Sequence, residues 1–236
     1  MPSPLDLAFA VLVFIVLVAA ATTYSLGRLE RRVAEGVTTA RRNWYRGTLL
    51  GEWAVAAAAL AVWSREGRPW QALGLVPPTD WRLYAGVGLA IGVTAVLLRQ
   101  NASIRGLPAD RLDRLAPKLA GVEMIMPHTR REYRWFLAVS WTAGVCEELL
   151  YRGFLTWLIA SFVGTTAAVV LAAIVFGFAH TYQGPKGIVK TGVVGLVLGG
   201  IVLLSGWLVP AMLIHAMIDI AGGVVGLTVL ARRDAA

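Results

Sequence analysis

Residues 7–26 form a stretch of twenty without a single charge. A helix of that length rises about 30 Å, the thickness of the hydrocarbon core of a bilayer. Comparable segments recur at about 48–64, 83–98, 135–162, 165–180, 187–204 and 207–230. The expected fold is therefore all-α: a polytopic transmembrane helical bundle of about seven spans, six to eight if one end is re-entrant. Residues 1–236 read as a single integral membrane domain, with no internal repeat and no low-complexity stretch. Composition agrees, because 57% of the residues are hydrophobic and only 15% charged, against about 25% charged in a soluble domain. A soluble globule and a disordered chain are excluded, and a single cysteine, Cys146, excludes a disulfide scaffold.

The charges that remain are placed unevenly. Loop 28–46 holds six basic residues, loop 99–134 eight, the 181–190 connection two and the C-terminal tail two, against three in loop 65–82. This asymmetry puts the N-terminus outside and the C-terminus in the cytoplasm. The formal net charge of +8 thus records topology, and no nucleic-acid partner is expected: that would need a basic stripe with stacking aromatics on a soluble face. The lipid bilayer is the implied partner. Nineteen Arg against three Lys, with abundant Ala, Gly and Val, suggest a GC-rich bacterial genome and so a bacterial inner membrane. The first span has no basic residue before it and is expected to stay uncleaved. Loop 65–82 reads as an extracytoplasmic connection anchored by Trp70 and Trp81. Loop 99–134 reads either as an amphipathic helix on the cytoplasmic surface or as a plain solvated linker. Gly88/Gly92, Gly195/Gly199 and Gly222/Gly226 are small-xxx-small pairs that suit close helix packing.

Six ionisable residues break the apolar pattern of the fourth, fifth and seventh spans: Glu147, Glu148, Arg152, His180, His215 and Asp219. Each costs roughly 2.5–3.5 kcal/mol at bilayer depth, so they are expected to face one another around a wet cavity. Glu148 and Arg152, at i and i+4, suit a helix ion pair, which leaves Glu147 about 100° around the helix without that partner. Phe176 and His180 share a helix face, as do His215 and Asp219, so that Asp219 is placed to orient His215. In straight spans His180 and His215 fall at different depths, and a kinked or re-entrant connection at Gly184-Pro185 would bring them level. Glu52, in the second span, either lines the cavity or snorkels. Cys146 reads as a small helix residue and His128 as surface.

These residue types support hydrolysis of a carbonyl compound. An unpaired carboxylate such as Glu147 can act as general base towards water, with His180 holding or relaying the proton. His215 and Asp219 can serve a developing oxyanion. One Glu and two His (Glu147, His180, His215) also form a valid catalytic zinc set with an open position, so the cofactor is either none or a single zinc ion. Two other classes remain: a non-catalytic immunity or scaffold protein, and a proton-coupled transporter, which usually carries inverted repeats.

Glu-Glu-x-x-x-Arg at 147–152, Phe-x-x-x-His at 176–180 and His-x-x-x-Asp at 215–219 occur in that order on three late spans. This set resembles the CPBP family of intramembrane proteases, named for CAAX prenyl proteases and bacteriocin-processing proteins and also called the Abi family. The resemblance covers about residues 135–222, the expected catalytic core. It implies an intramembrane endopeptidase acting on a peptide or protein substrate. Glu147 and His180 would activate the water, and His215 and Asp219 would form the oxyanion site. Members have been described both as metalloproteases and as glutamate-dependent enzymes. Asp219 departs from the Asn of the eukaryotic enzymes; ionised, it would repel an oxyanion. Bacterial members act on diverse peptides or proteins, so a prenylated substrate is not implied.

Overall fold

The computed structural model describes residues 1–233, and every regular element among them is helical. Seven long helical rods coincide with the seven expected segments: α1 (Pro4–Ala34), α2 (Ala40–Arg65), α3 (Trp81–Arg105), α4 (130–163), α5 (Thr165–Ala179), α6 (Gly184–Ser205) and α7 (Leu208–Arg233). Five of them (α1, α2, α3, α6 with its leading turn, and α7) are long and apolar enough to cross a membrane, whereas α5 is apolar but shorter. α4 is long enough as well, but Glu147, Glu148 and Arg152 interrupt its apolar run. Large apolar side chains such as Ile91, Val96, Ile174, Val193 and Val197 point outward. In water they would be a liability; in lipid they are the expected belt, and the chain is an integral membrane protein.

Local chemistry sets the ends of the rods. Thr129 and Glu132 form a capping box that starts α4. Ser3 and Asp6 do the same for α1. α6 ends at Gly206, whose φ of 65° only a residue without Cβ adopts at no cost, and the chain turns straight into α7.

Loop 99–134 does not form one amphipathic surface helix. α3 runs on to Arg105, and the remainder is a short helix (Ala109–Asp113) followed by 3₁₀ turns at Ala116–Leu119 and Glu123–Ile125. Pro108, Pro117 and Pro127 with Gly106 and Gly121 break any continuous surface helix.

The core lies where α4 meets α1, α2, α5 and α7. α4 and α7 make the most extensive contact of any helix pair, followed by α5 with α6. Phe154 of α4 is fully buried against Phe9 of α1, ring centroids 5.0 Å apart. Gly144 of α4 lies so close to α7 that an added Cβ would stand 2.7 Å from the Met212 carbonyl oxygen. Of the glycine pairs, Gly195 and Gly199 do sit at tight contacts, but Gly88 and Gly92 have nothing within 4 Å of a would-be Cβ.

The depth mismatch is resolved at a different place from the expected one. α7 does not begin at the bundle's end. Its first amide, on Leu208, donates to the Gly74 carbonyl at 2.8 Å, and Leu73 packs over Gly153 of α4. Loop 66–80 thus tucks inward, and the start of α7 is recessed to the level of Gly153. From there His215 is seven residues along α7 and Glu148 five residues back along α4, about 10 and 8 Å of helix rise. The two side chains therefore meet, while Gly184-Pro185 only opens α6.

Candidate active site

Glu148 lies at the centre of the cluster. Its Oε1 accepts Arg152 Nη1 at 2.8 Å and His215 Nδ1 at 2.7 Å. The carboxylate is fully buried, and the Arg152 side chain is 3% exposed. A buried charge needs such compensation. Arg152 also lies 4.1 Å above the Phe176 ring, a cation–π contact. Gly195 of α6 gives it room, since a Cβ there would stand 2.9 Å from Nη2. The helix is locally wound into a π-turn over Leu149–Leu155, immediately after the two glutamates. Such turns often mark functional sites.

The orienting bond to His215 therefore comes from Glu148 on a different helix, and not from Asp219 as the sequence suggests. Asp219 Oδ2 stands 3.8 Å from Nε2, as does Glu147 Oε2. With Nδ1 donating to a carboxylate, Nε2 is the nitrogen left towards Glu147 and Asp219. Glu147 Oε2 is shut off from solvent without a hydrogen-bond partner.

His180 ends α5. Its Nδ1 lies 2.9 Å from the Phe176 carbonyl oxygen. A carbonyl only accepts, so Nδ1 carries the proton and Nε2 presents a lone pair. Phe176, 2% exposed, packs edge-on against His180 at 4.7 Å and His215 at 5.9 Å. It thereby sets the spacing of the two imidazoles.

Glu147, His180, Tyr182 and Glu52 line one cavity of about 400 Å³, to which Val13, Val18 and neighbouring residues of α1 add a wall. That volume lies within the usual range for ligand sites. The lining runs along the middle of α1 from Val13 to Leu26, along α2 from Trp44 to Val55, past Glu147, Leu150 and Tyr151 of α4 and to the end of α5, so on α2 and α5 the cavity lies towards the end of the bundle that carries the α1–α2 turn. Glu52 thus lines the cavity, one of the two positions the sequence leaves open. Tyr182 was not singled out in the sequence; its only signal there is adjacency to the Phe-x-x-x-His motif. Cys146 is fully buried, as expected of a packing residue.

Among the described residues no group of three or more His, Cys, Asp or Glu side chains is arranged to hold a metal ion. The set Glu147, His180 and His215 does not form a ligand triad in this geometry, and no metal step follows from it.

Residues 130–221 match the family model Rce1-like, described as type II CAAX prenyl endopeptidase Rce1-like. The match spans the three motifs and agrees with the CAAX-protease resemblance they carry. No curated protein and no solved structure matches the chain.

Proposed function

We propose that the protein is a glutamate-dependent intramembrane endopeptidase that hydrolyses a peptide bond at Glu147 in the α1–α2–α4–α5 cavity. The observation that carries this reading is the Glu147 carboxylate oxygen, buried and unpartnered beside His215, in a chain whose residues 130–221 are similar to an endopeptidase family. Glu147 takes a proton from a cavity water as the water attacks the scissile carbonyl carbon. His180 Nε2, a lone-pair acceptor, holds the same water. His215, fixed through Nδ1 by Glu148, must carry a second proton so that Nε2–H donates to the developing oxyanion. Asp219, 3.8 Å from that nitrogen, compensates the imidazolium rather than touching the oxyanion. Glu147 then passes its proton to the leaving amine. The substrate is a peptide or protein that reaches the cavity from the bilayer or its surface. The proposed setting is a bacterial plasma membrane, N-terminus outside, with the cavity towards the cytoplasmic half.

The test is peptide cleavage by the purified full chain in lipid nanodiscs. Glu147→Gln and His180→Ala are expected to lower turnover by at least about 100-fold while the melting temperature stays within a few degrees. Turnover is expected to survive dialysis against a zinc chelator. Unchanged cleavage in Glu147→Gln overturns the reading, and chelator-sensitive activity restored by zinc replaces the glutamate mechanism with a metal one.

A further inference from the structure

Glu52 has no role in that chemistry, yet it lies in the same cavity. Its Oε2, like that of Glu147, is closed to solvent and has no hydrogen-bond partner. No Lys or Arg lines the cavity; Arg152 is bound through Nη1 to Glu148 and lies over Phe176, and His215 is held among Glu148, Glu147 and Asp219. A carboxylate out of water and unpaired is unfavourable until a cation reaches it. Next to Glu52 the α2 wall is smooth: Gly47 and Gly51 line the cavity, and a Cβ on either would meet nothing within 4 Å. Val18, Val55 and Leu150 add apolar surface to the same cavity. Of the two unsatisfied carboxylates in the cavity, Glu147 is assigned to the water; apolar walls beside the other, Glu52, suit a methylene stem ending in a positive charge, the make-up of a lysine or arginine side chain.

We infer that Glu52 is a specificity residue that receives a basic side chain of the peptide substrate. The inference rests on the protease reading, since it assigns a subsite to that active site. The cation neutralises Glu52 as the substrate enters, and it fixes the peptide's register against Glu147.

The experiment uses octapeptides of neutral sequence, capped at both ends, in which one lysine or one norleucine is walked through the positions. Binding to the full chain in neutral phosphatidylcholine nanodiscs is read by fluorescence anisotropy, and cleavage separately by mass spectrometry. At one position lysine is expected to bind about 10- to 100-fold more tightly than norleucine, the worth of a hydrogen bond to a charged group. Glu52→Gln should bring that ratio close to one, and Glu52→Arg should shift preference to a glutamate peptide at the same position. Equal binding of lysine and norleucine peptides at every position overturns the inference, as does a lysine preference that persists in Glu52→Gln. Lysine-selective binding without cleavage supports the subsite and overturns the protease reading, so the two fail separately.

Discussion

Gly144 is the position at which a single methyl group is expected to reach the chemistry. It lies one turn before Glu148, where α4 crosses α7. A Cβ there would stand 2.7 Å from the Met212 carbonyl oxygen, 2.8 Å from Ala216 Cβ and 2.9 Å from Ala216 N. Two of these three atoms are backbone, so no rotamer change relieves them. Ordinary contact starts at 3.4 Å, and the helices must part by about 0.7 Å to accept alanine. His215 is the neighbour of Ala216. The same movement stretches its 2.7 Å bond to Glu148 to about 3.4 Å, past the normal hydrogen-bond range. Overpacking of this kind costs about 1–3 kcal/mol, and displacing a catalytic group by about 1 Å costs up to about 100-fold in rate. Gly144→Ala is therefore expected to lose about 10- to 100-fold in peptide cleavage and several degrees of melting temperature. Gly222→Ala is the control: it lies on α7, where a Cβ meets nothing within 4 Å, and should change neither. Parental cleavage and melting temperature in Gly144→Ala would refute the claim that the α4–α7 contact sets the Glu148–His215 geometry.

Other perturbations separate structural from chemical roles. Glu148→Ala leaves Arg152 charged, buried and without its carboxylate, which is expected to destabilise the protein by about 3–5 kcal/mol; unfolding in mild detergent with a parental midpoint would contradict this. Asp6 is fully buried and takes both Arg68 Nη1 and Nη2, at 2.7 and 2.5 Å, while the Arg68 guanidinium stacks 4.3 Å over Trp157. Asp6→Asn should speed hydrogen exchange in residues 4–11 with α4 unaffected. Equal exchange in both proteins would mean that the ion pair does not hold the start of α1.

What the sequence disclosed follows from the range of the interactions involved. Twenty-residue apolar runs report their own helices, so all seven rods were legible. The i, i+4 motifs placed Glu148 on Arg152 and Phe176 under His180 because one helix turn decides both. The bond from Glu148 to His215 spans 67 residues and depends on how far α7 is recessed. No periodicity encodes that recess, which is set by Gly74 receiving the Leu208 amide and by Gly153 admitting Leu73. For the same reason Asp219, local in sequence, looked like the partner of His215. Gly88 and Gly144 are both glycines in apolar helices, and only the fold shows that Gly144 faces a neighbour's backbone while Gly88 does not.

The inward fold of loop 66–80 has a further consequence. Leu73 and Leu208, both 2% exposed or less, with Phe154 and Leu155, form an apolar floor beneath the reactive groups. Water crosses such a layer poorly, so reactant water is expected to come from the end of the bundle with the α1–α2 turn and not through the floor. A chamber of this kind is a blind alley for protons. Hydrolysis in it would then provide no leak across the membrane that surrounds it.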